Sequence, residues 1–383
     1  VLTFDPALDK QWLERFNKHE GSSPESYILA NPGDIIVAEQ LHCYPKATKK
    51  FPEWHKDGLA YTRLAFEQSS GEATAKYKAG LVTTDTIWDL TGGLGIDSYA
   101  FSQYARHVHY CEIAEQPYLL AKNNHAIWGA TNIKHHHISA EDAVNMVKAS
   151  EWVFIDPSRR KSTGRTFLLK DCDPNVLDLL PQLRSKNANV LLKLSPLYDL
   201  QQLKNEIPEL TNIYVVSVDG EVKEIIVEIC SKPKGYVHSV CLPDKIEFRR
   251  GLSGNKISSP PKTTSQPANY ILVADAAIIK AETFRNILEV YPVTLWGKSI
   301  YLTSTVENIP GCRSYEVIDT VEYKPKKLKS YLGGKKVNIH KRNFPIEVSQ
   351  LYKILGVSMG DDYHLFFTTD TNGDRLVCVT HPA

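Results

Sequence analysis

Short apolar runs alternate with helix-period segments through the middle of the chain, a pattern that predicts an open, mostly parallel sheet. The runs are Thr86–Leu90, His107–Glu112, Ile133–Ile138, Trp152–Asp156, Asn189–Leu194, Asn212–Asp219 and Lys223–Cys230. Helical patterns separate the first five. Only Asp219-Gly220-Glu221-Val222 separates the last two. Asp-Gly is a hairpin turn signal, so this last pair is predicted to be antiparallel. Before the sheet, residues 1–80 read as mainly helical. Asp9–His19 carries Trp12, Leu13 and Phe16 at helical spacing, and Asp57–Gln68 repeats the pattern less regularly. Ser69–Gly80 reads as a helix capped by Ser70, while Pro45–Trp54 (PKATKKFPEW) reads as irregular and basic. Ser98–Arg106 is a further predicted helix.

The character changes after Ser231. Val237–Arg250 reads as one or two strands, and Ser253–Asn269 (SGNKISSPPKTTSQPAN) as a linker or exposed loop. Residues 270–383 form a second α+β unit. Its predicted helices are Ala276–Leu288 and Pro345–Leu355. Its predicted strands are Ser299–Thr303, Tyr315–Val321, His364–Thr368 and Leu376–Thr380. The expected organisation is thus a helical region over 1–80, a sheet domain over 81–235, a strand and linker segment over 236–269, and a C-terminal domain over 270–383.

Composition adds three constraints. With 383 residues and 42% apolar content the chain can bury more than one core. Its net charge of +1 means that any nucleic-acid surface must be local. Seven scattered cysteines without a CxxC pair argue for reduced thiols in the cytoplasm, and no apolar run is long enough to span a membrane. Neither export, membrane nor metal is expected. His135-His136-His137 lies on a predicted strand, where successive side chains face opposite ways and cannot converge on one ion.

The candidate chemistry falls at the carboxyl ends of successive strands, the edge where open α/β sheets bind ligands. Asp89-x-Thr91-Gly92-Gly93-x-Gly95 turns from a strand into a helix, bringing backbone N–H groups toward a ligand. Glu112 ends the second strand, where an acid suits two ribose hydroxyls. Asp142 follows the third, placed for an adenine amino group. Asp156-Pro157-Ser158-Arg159-Arg160 follows the fourth, beside the ligand's reactive end. A nicotinamide dehydrogenase would show GxGxxG, and here Ser98 stands where the third glycine would be. The Asp142 position, the Asp-Pro turn and the closing hairpin favour S-adenosylmethionine (SAM) over a dinucleotide.

These residues resemble those of class I SAM-dependent methyltransferases, with a Rossmann-like sheet of five parallel strands and a closing hairpin. DLTGGLGID is similar to the first motif of bacterial RNA methyltransferases, including the 16S rRNA guanine-N2 type. The chain as a whole resembles a bacterial family with a methyltransferase domain followed by a THUMP-like domain. The carrying stretches are Gln68–Ala79, DLTGGLGID, IDPSRR, Asp275–Lys280 and Arg342–Pro345. The resemblance implies Gly93 and Gly95 against the methionine part of SAM, Glu112 on the ribose and Asp142 on the adenine amine. It implies Asp156 at the methyl-transfer centre. Asp89 and Gly92 belong to the same loop motif, and Thr91 and Asp97 are candidates for the amino and carboxylate ends.

The turn at 156 narrows the chemistry. Base-amine methyltransferases often carry Asn/Asp-Pro-Pro-aromatic, and the stacking ring is missing from Asp-Pro-Ser-Arg-Arg. RNA 5-methyluridine enzymes need a cysteine after the fifth strand, and Lys193-Leu194-Ser195-Pro196-Leu197 has none. Arg159 and Arg160 are candidates to clamp a phosphate. Tyr323–Ile346 holds Lys326, Lys327, Lys335, Lys336, Lys341 and Arg342 among its bases and no acid, a local basic stretch suited to RNA phosphates. The expectation is a SAM-dependent methyltransferase that N-methylates a base in structured RNA. Its rivals are a protein or small-molecule methyltransferase and a SAM-binding adaptor without turnover.

Overall fold

The computed structural model describes residues 4–9, 11–159, 168–231, 235–253 and 261–382. The chain divides into two compact units: Val1–Val218 with Lys223–Gly235, and Asp219–Val222 with Tyr236–Ala383.

Among the described residues, five helices open the first unit: α1 (Trp12–His19), α2 (Pro24–Ala30), α3 (Ile35–Lys50), α4 (Arg63–Gln68) and α5 (Glu72–Leu81). Three of them depart from the sequence expectation, α4 by starting at Arg63 where a helical pattern from Asp57 was expected. α3 runs through Pro45 to Lys50, where an irregular stretch was expected. Its buried Ile36, Val37, Leu41, Cys43, Tyr44 and Ala47 hold the helix together across the lost backbone bond. α5 starts one residue later than a Ser70 cap would place it. Gly71 is its N-cap, and the Ser70 hydroxyl instead donates to the Asp97 carboxylate at 2.7 Å.

The sheet follows as β1 (Thr86–Asp89), α6 (Ile96–Ser102), β2 (His107–Cys111), α7 (Glu115–Trp128), β3 (Ile133–His136), α8 (Ala140–Met146), β4 (Trp152–Ile155), α9 (Val176–Ser185), β5 (Asn189–Leu194), α10 (Leu200–Glu206), β6 (Asn212–Val218) and β7 (Glu221–Ile229). In space the order is β6-β7-β5-β4-β1-β2-β3. β1 pairs in parallel with β2 and β4, β2 with β3, and β4 with β5, while β7 runs antiparallel to β5. The β6–β7 turn has φ 53° at Asp219 and 83° at Gly220, the positive pair that a tight hairpin needs. Strand order reverses between β1 and β4, so their carboxyl ends open the crevice in which doubly wound sheets place ligands. All four residues of β4 are buried, as are Ile87, Trp88 and Asp89 of β1. These central strands are therefore covered on both faces and read as apolar runs.

The second unit contains the antiparallel hairpin β8 (Tyr236–Leu242) and β9 (Ile246–Gly251), then β10 (Tyr270–Ala274), α11 (Ala276–Lys280), α12 (Phe284–Val290), β11 (Val293–Trp296), β12 (Leu302–Ser304), β13 (Cys312–Glu322), α13 (Pro325–Leu332), β14 (Lys336–Lys341), α14 (Val348–Leu355), β15 (Ser358–Thr369) and β16 (Arg375–Pro382). Its larger sheet is ordered β11-β12-β10-β13-β16-β15-β14, with Thr263–Thr264 added in parallel beside β11. That short strand lies in the stretch expected to be linker, of which residues 254–260 fall outside the described residues. The single helix expected over 276–288 is two, broken where Glu282 takes φ 56°. Within the basic stretch, Leu328 and Leu332 of α13 pack with Val337, Leu351, Leu355, Leu365 and Phe367. The lysine-rich run therefore has an apolar face at helical spacing.

Candidate active site

Of the residues singled out from the sequence, Asp89, Thr91, Gly92, Gly93, Glu112 and Asp156 are joined around the loop after β1. Asp89 is fully buried; its carboxylate accepts the Thr91 N–H at 3.2 Å and the Ser98 hydroxyl at 2.6 Å. Burial, with the nearby charges of Asp97 and Asp156, pushes its carboxyl up to about 8 against the opposing Ser98 bond. The Gly92 N–H donates to the Cys111 carbonyl at 2.8 Å, and the Gly93 N–H to Glu112 Oε2 at 2.9 Å. Glu112 Oε1 accepts the Ala114 N–H at 2.7 Å, and each oxygen keeps a lone pair for a hydroxyl donor. The Thr91 hydroxyl accepts the Asp156 N–H at 2.6 Å, tying the end of β4 to the glycine loop. One network of bonds thus joins β1, β2 and β4 at the crevice.

Two glycines are demanded by contact. A Cβ on Gly92 would lie 2.1 Å from the buried Tyr110 ring, whose hydroxyl donates to the Gly93 carbonyl. A Cβ on Gly95, at φ 77°, would lie 2.3 Å from His125 Nε2. His125 bonds the Gly95 carbonyl at 2.8 Å, and burial drives its ring down to about 3, so it is neutral. The backbone approaches these rings so closely that the loop keeps one shape.

Asp142 stands exposed in the first turn of α8, its N–H and carboxylate bonded to Ser139 rather than to the loop. Asp97 lies deeper than a loop acid. Its Oδ1 is 3.1 Å from Lys78 Nζ, and Lys78 also reaches both oxygens of Glu224 at 2.7 and 2.9 Å. Lys78, Glu224, Asp97 and Ser70 are all buried, so α5, α6 and β7 are joined by an ion-paired cluster behind the loop.

Asp156 opens onto a cavity of about 340 Å³, lined by Pro157, Lys193, Ser195, Tyr198 and Lys223 among others. Lys193 Nζ lies 2.5 Å from Asp156 Oδ2. Burial alone would lower the Lys193 ammonium, but the charges of Asp156, Asp97 and Glu224 outweigh it and hold the group protonated. Lys50 donates to the Phe66 carbonyl and lies 4.7 Å from that residue's ring centre. Burial first, and the Lys193 charge second, bring it down to about 8.

Sequence reasoning missed Lys78, Lys193, Glu224 and Lys50. Lys193 interrupts the apolar run Val190–Leu194, which is the one local signal it leaves. Arg159 sits on a two-residue ladder opposite Cys172, and Arg160 lies outside the described residues. The histidine run alternates faces. His136 bonds His109 at 2.9 Å beside Trp88, whereas His135 bonds His125 at 2.8 Å and His137 stacks on Tyr118. Among the described residues no three His, Cys, Asp or Glu group as a metal site, and no helix is long and apolar enough to cross a membrane.

In the second unit Lys326 and Lys327 are exposed on α13, and Lys335, Lys336 and Arg342 are exposed around β14. Lys341 is half-buried and pairs with Glu347 at 2.6 Å. Acids from other segments enter the stretch as well: the Lys336 N–H bonds Asp362 and Asn338 bonds Asp361.

Residues 312–382 match the family described as THUMP domain-like. An uncharacterised SAM-dependent methyltransferase of Mycobacterium tuberculosis, found alike in strains CDC 1551 and H37Rv, is 24% identical over 290 residues. The match covers 72% of this chain and 74% of the relative. A crystal structure assigned as a methyltransferase from Porphyromonas gingivalis W83 superposes with a TM-score of 0.84 over 100% of both chains at 24% identity. The chain has the class I methyltransferase fold with a THUMP-like stretch at its C-terminus, and it is similar to SAM-dependent methyltransferases. The antiparallel β7 inserted between β5 and β6 is the feature that separates the methyltransferase sheet from an all-parallel dinucleotide fold.

Proposed function

We propose that this methyltransferase, which takes its methyl group from SAM, acts on structured RNA. The observation that carries the reading is the direct tie from the glycine loop through Thr91 to Asp156 at the mouth of a cavity. A donor held by the loop and an acceptor held in the cavity would meet at Asp156. The residues fit SAM: open space beside Gly93, remaining lone pairs on Glu112 for a ribose, and an exposed carboxylate at Asp142 for an adenine amine. Gly93 and Gly95 would face the methionine part, with Asp89 and Thr91 holding the loop's shape. Asp97, ion-paired with Lys78, would brace the loop from behind.

Bound SAM supplies an electrophilic methyl group on a sulfonium. The protein's contribution is to hold the acceptor in line, and placement of this kind is worth up to about 7–11 kcal/mol. Asp156 and Pro157 shape that position. The THUMP-like match supports RNA as the acceptor, and exposed Lys326, Lys327, Lys335, Lys336 and Arg342 suit phosphates. Arg159 and Arg160 remain proposed phosphate clamps. Cytoplasmic placement follows from this reading of an intracellular RNA acceptor and from seven free thiols.

The test is transfer of tritiated methyl from SAM into total RNA, total protein and small-molecule fractions of a cell lysate. Label in RNA is expected. Label confined to protein or small molecules would support the rival enzymes. SAM binding without label anywhere would support the adaptor.

A further inference from the structure

We propose that the acceptor atom is a ribose hydroxyl oxygen beside a phosphate, held between Asp156 and Lys193; this rests on the RNA reading above. The first support is the cavity wall. Lys193, Lys223, Ser158, Ser195 and Gln68 give it cations and hydrogen-bonding groups. Its described aromatic residue, Tyr198, is 2% exposed and turns its hydroxyl to Glu206, so the described wall offers no open ring for a base to stack on. These cations and hydroxyls, beside the acids Asp156 and Asp171, suit a sugar and its phosphate.

The second support is the pair itself. A base amine presents two N–H donors, and the Asp-Pro turn would meet them with a free carboxylate and the prolyl carbonyl. Here Asp156 Oδ2 is occupied by Lys193 at 2.5 Å. The carboxylate can still accept a proton, and the ammonium beside it is a donor that a developing oxyanion can use and an amine N–H cannot. A hydroxyl has these needs: one proton to lose and one oxygen on which negative charge develops. Asp97 and Glu224, behind Lys193, keep that ammonium charged.

The step balances. The hydroxyl oxygen forms a bond to the methyl carbon of SAM. The carbon–sulfur bond breaks and its electron pair stays on sulfur, leaving the neutral thioether of S-adenosylhomocysteine. The hydroxyl proton passes to Asp156 and from there to water. Lys193 stays protonated throughout and stabilises the charge on the attacking oxygen.

The experiment gives the full-length protein tritiated SAM and total RNA from cells in which its gene has been deleted, then digests the RNA to nucleosides. The expected result is label in a 2′-O-methylnucleoside, at a linkage that alkali no longer cleaves. Label on a base nitrogen or carbon would overturn this inference and leave the RNA reading standing. Label only outside RNA, or nowhere, would overturn both. Lys193→Met should lower kcat by about 10²- to 10³-fold, the scale of one lost oxyanion donor, with SAM affinity within about twofold of the parent. SAM binding serves as the check on folding, and Lys193→Arg, which keeps the charge, should recover part of the rate. A Lys193→Met protein that binds SAM and transfers at the parent rate would contradict the assignment.

Discussion

The two units handle charge in opposite ways. In the first, Lys78, Lys193, Asp97 and Glu224 are withdrawn from water and paired at 2.5 to 3.1 Å with one another or with Asp156. In the second, Lys326, Lys327, Lys335 and Lys336 stand on the surface of α13 and β14. Desolvated charges are costly unless paired, so they persist where position matters. Surface lysines contribute little to stability and much to long-range attraction for a polyanion. On the proposed function, the contrast would place chemistry in the first unit and substrate capture in the second, although a sequence displays the second far more openly.

The largest expected effect tests the buried side. Asp156→Ala should lower transfer by about 10²- to 10⁴-fold, the range of a lost proton acceptor, in single-turnover assays. A parent-like rate would break the comparison at its functional end. Next, Lys78→Met removes one partner of a buried cluster and leaves Asp97 and Glu224 uncompensated. It should destabilise the protein by about 3–5 kcal/mol in urea unfolding. The quadruple reversal of Lys326, Lys327, Lys335 and Lys336 to Glu should shift stability far less, within about 0.5 kcal/mol per site. It should instead weaken RNA binding and reduce the salt slope by about one per lysine removed. RNA affinity indifferent to salt and to this reversal would end the capture role.

The smallest effect is in pH. Burial holds His109, His125 and His135 of the first unit at about 4, 3 and 4. Unfolded, these rings bind protons from about pH 6.5 downward, so the stability they contribute is full above that pH and falls on acidification toward 4. Each contributes a slope of at most about 1.4 kcal/mol per pH unit. Asp89 acts in the opposite sense. Its folded carboxyl, near 8, keeps a proton that the unfolded chain releases above about 4, so it favours the folded state as pH falls. Urea midpoints should therefore drop between pH 7.5 and 5.5, and drop more steeply in Asp89→Asn. Midpoints that do not move would contradict both signs.

What the sequence disclosed follows from range. β1 through β7 were legible because each is a local apolar run, and the hairpin because Asp219-Gly220 encodes its own turn. Gly92 and Gly95 announced a close approach, though not that Tyr110 and His125 are what approaches. α3 was missed at Pro45 because its buried face, a tertiary fact, outweighs a local breaker. α13 was hidden because lysines obscured the spacing of Leu328 and Leu332. Lys78 meets Glu224 across 146 positions and Lys193 meets Asp156 across 37, pairings that no window along the chain displays. The candidate site was thus readable as a list of acids and glycines, while its cations became visible only in space.

The most direct test of the central claim, that Asp156 marks the reactive end of a site gripped elsewhere by Glu112, is SAM titration calorimetry on two variants side by side. Glu112→Ala should bind SAM weakly and Asp156→Ala should bind it as the parent does. Equal loss of SAM affinity in both would contradict the account.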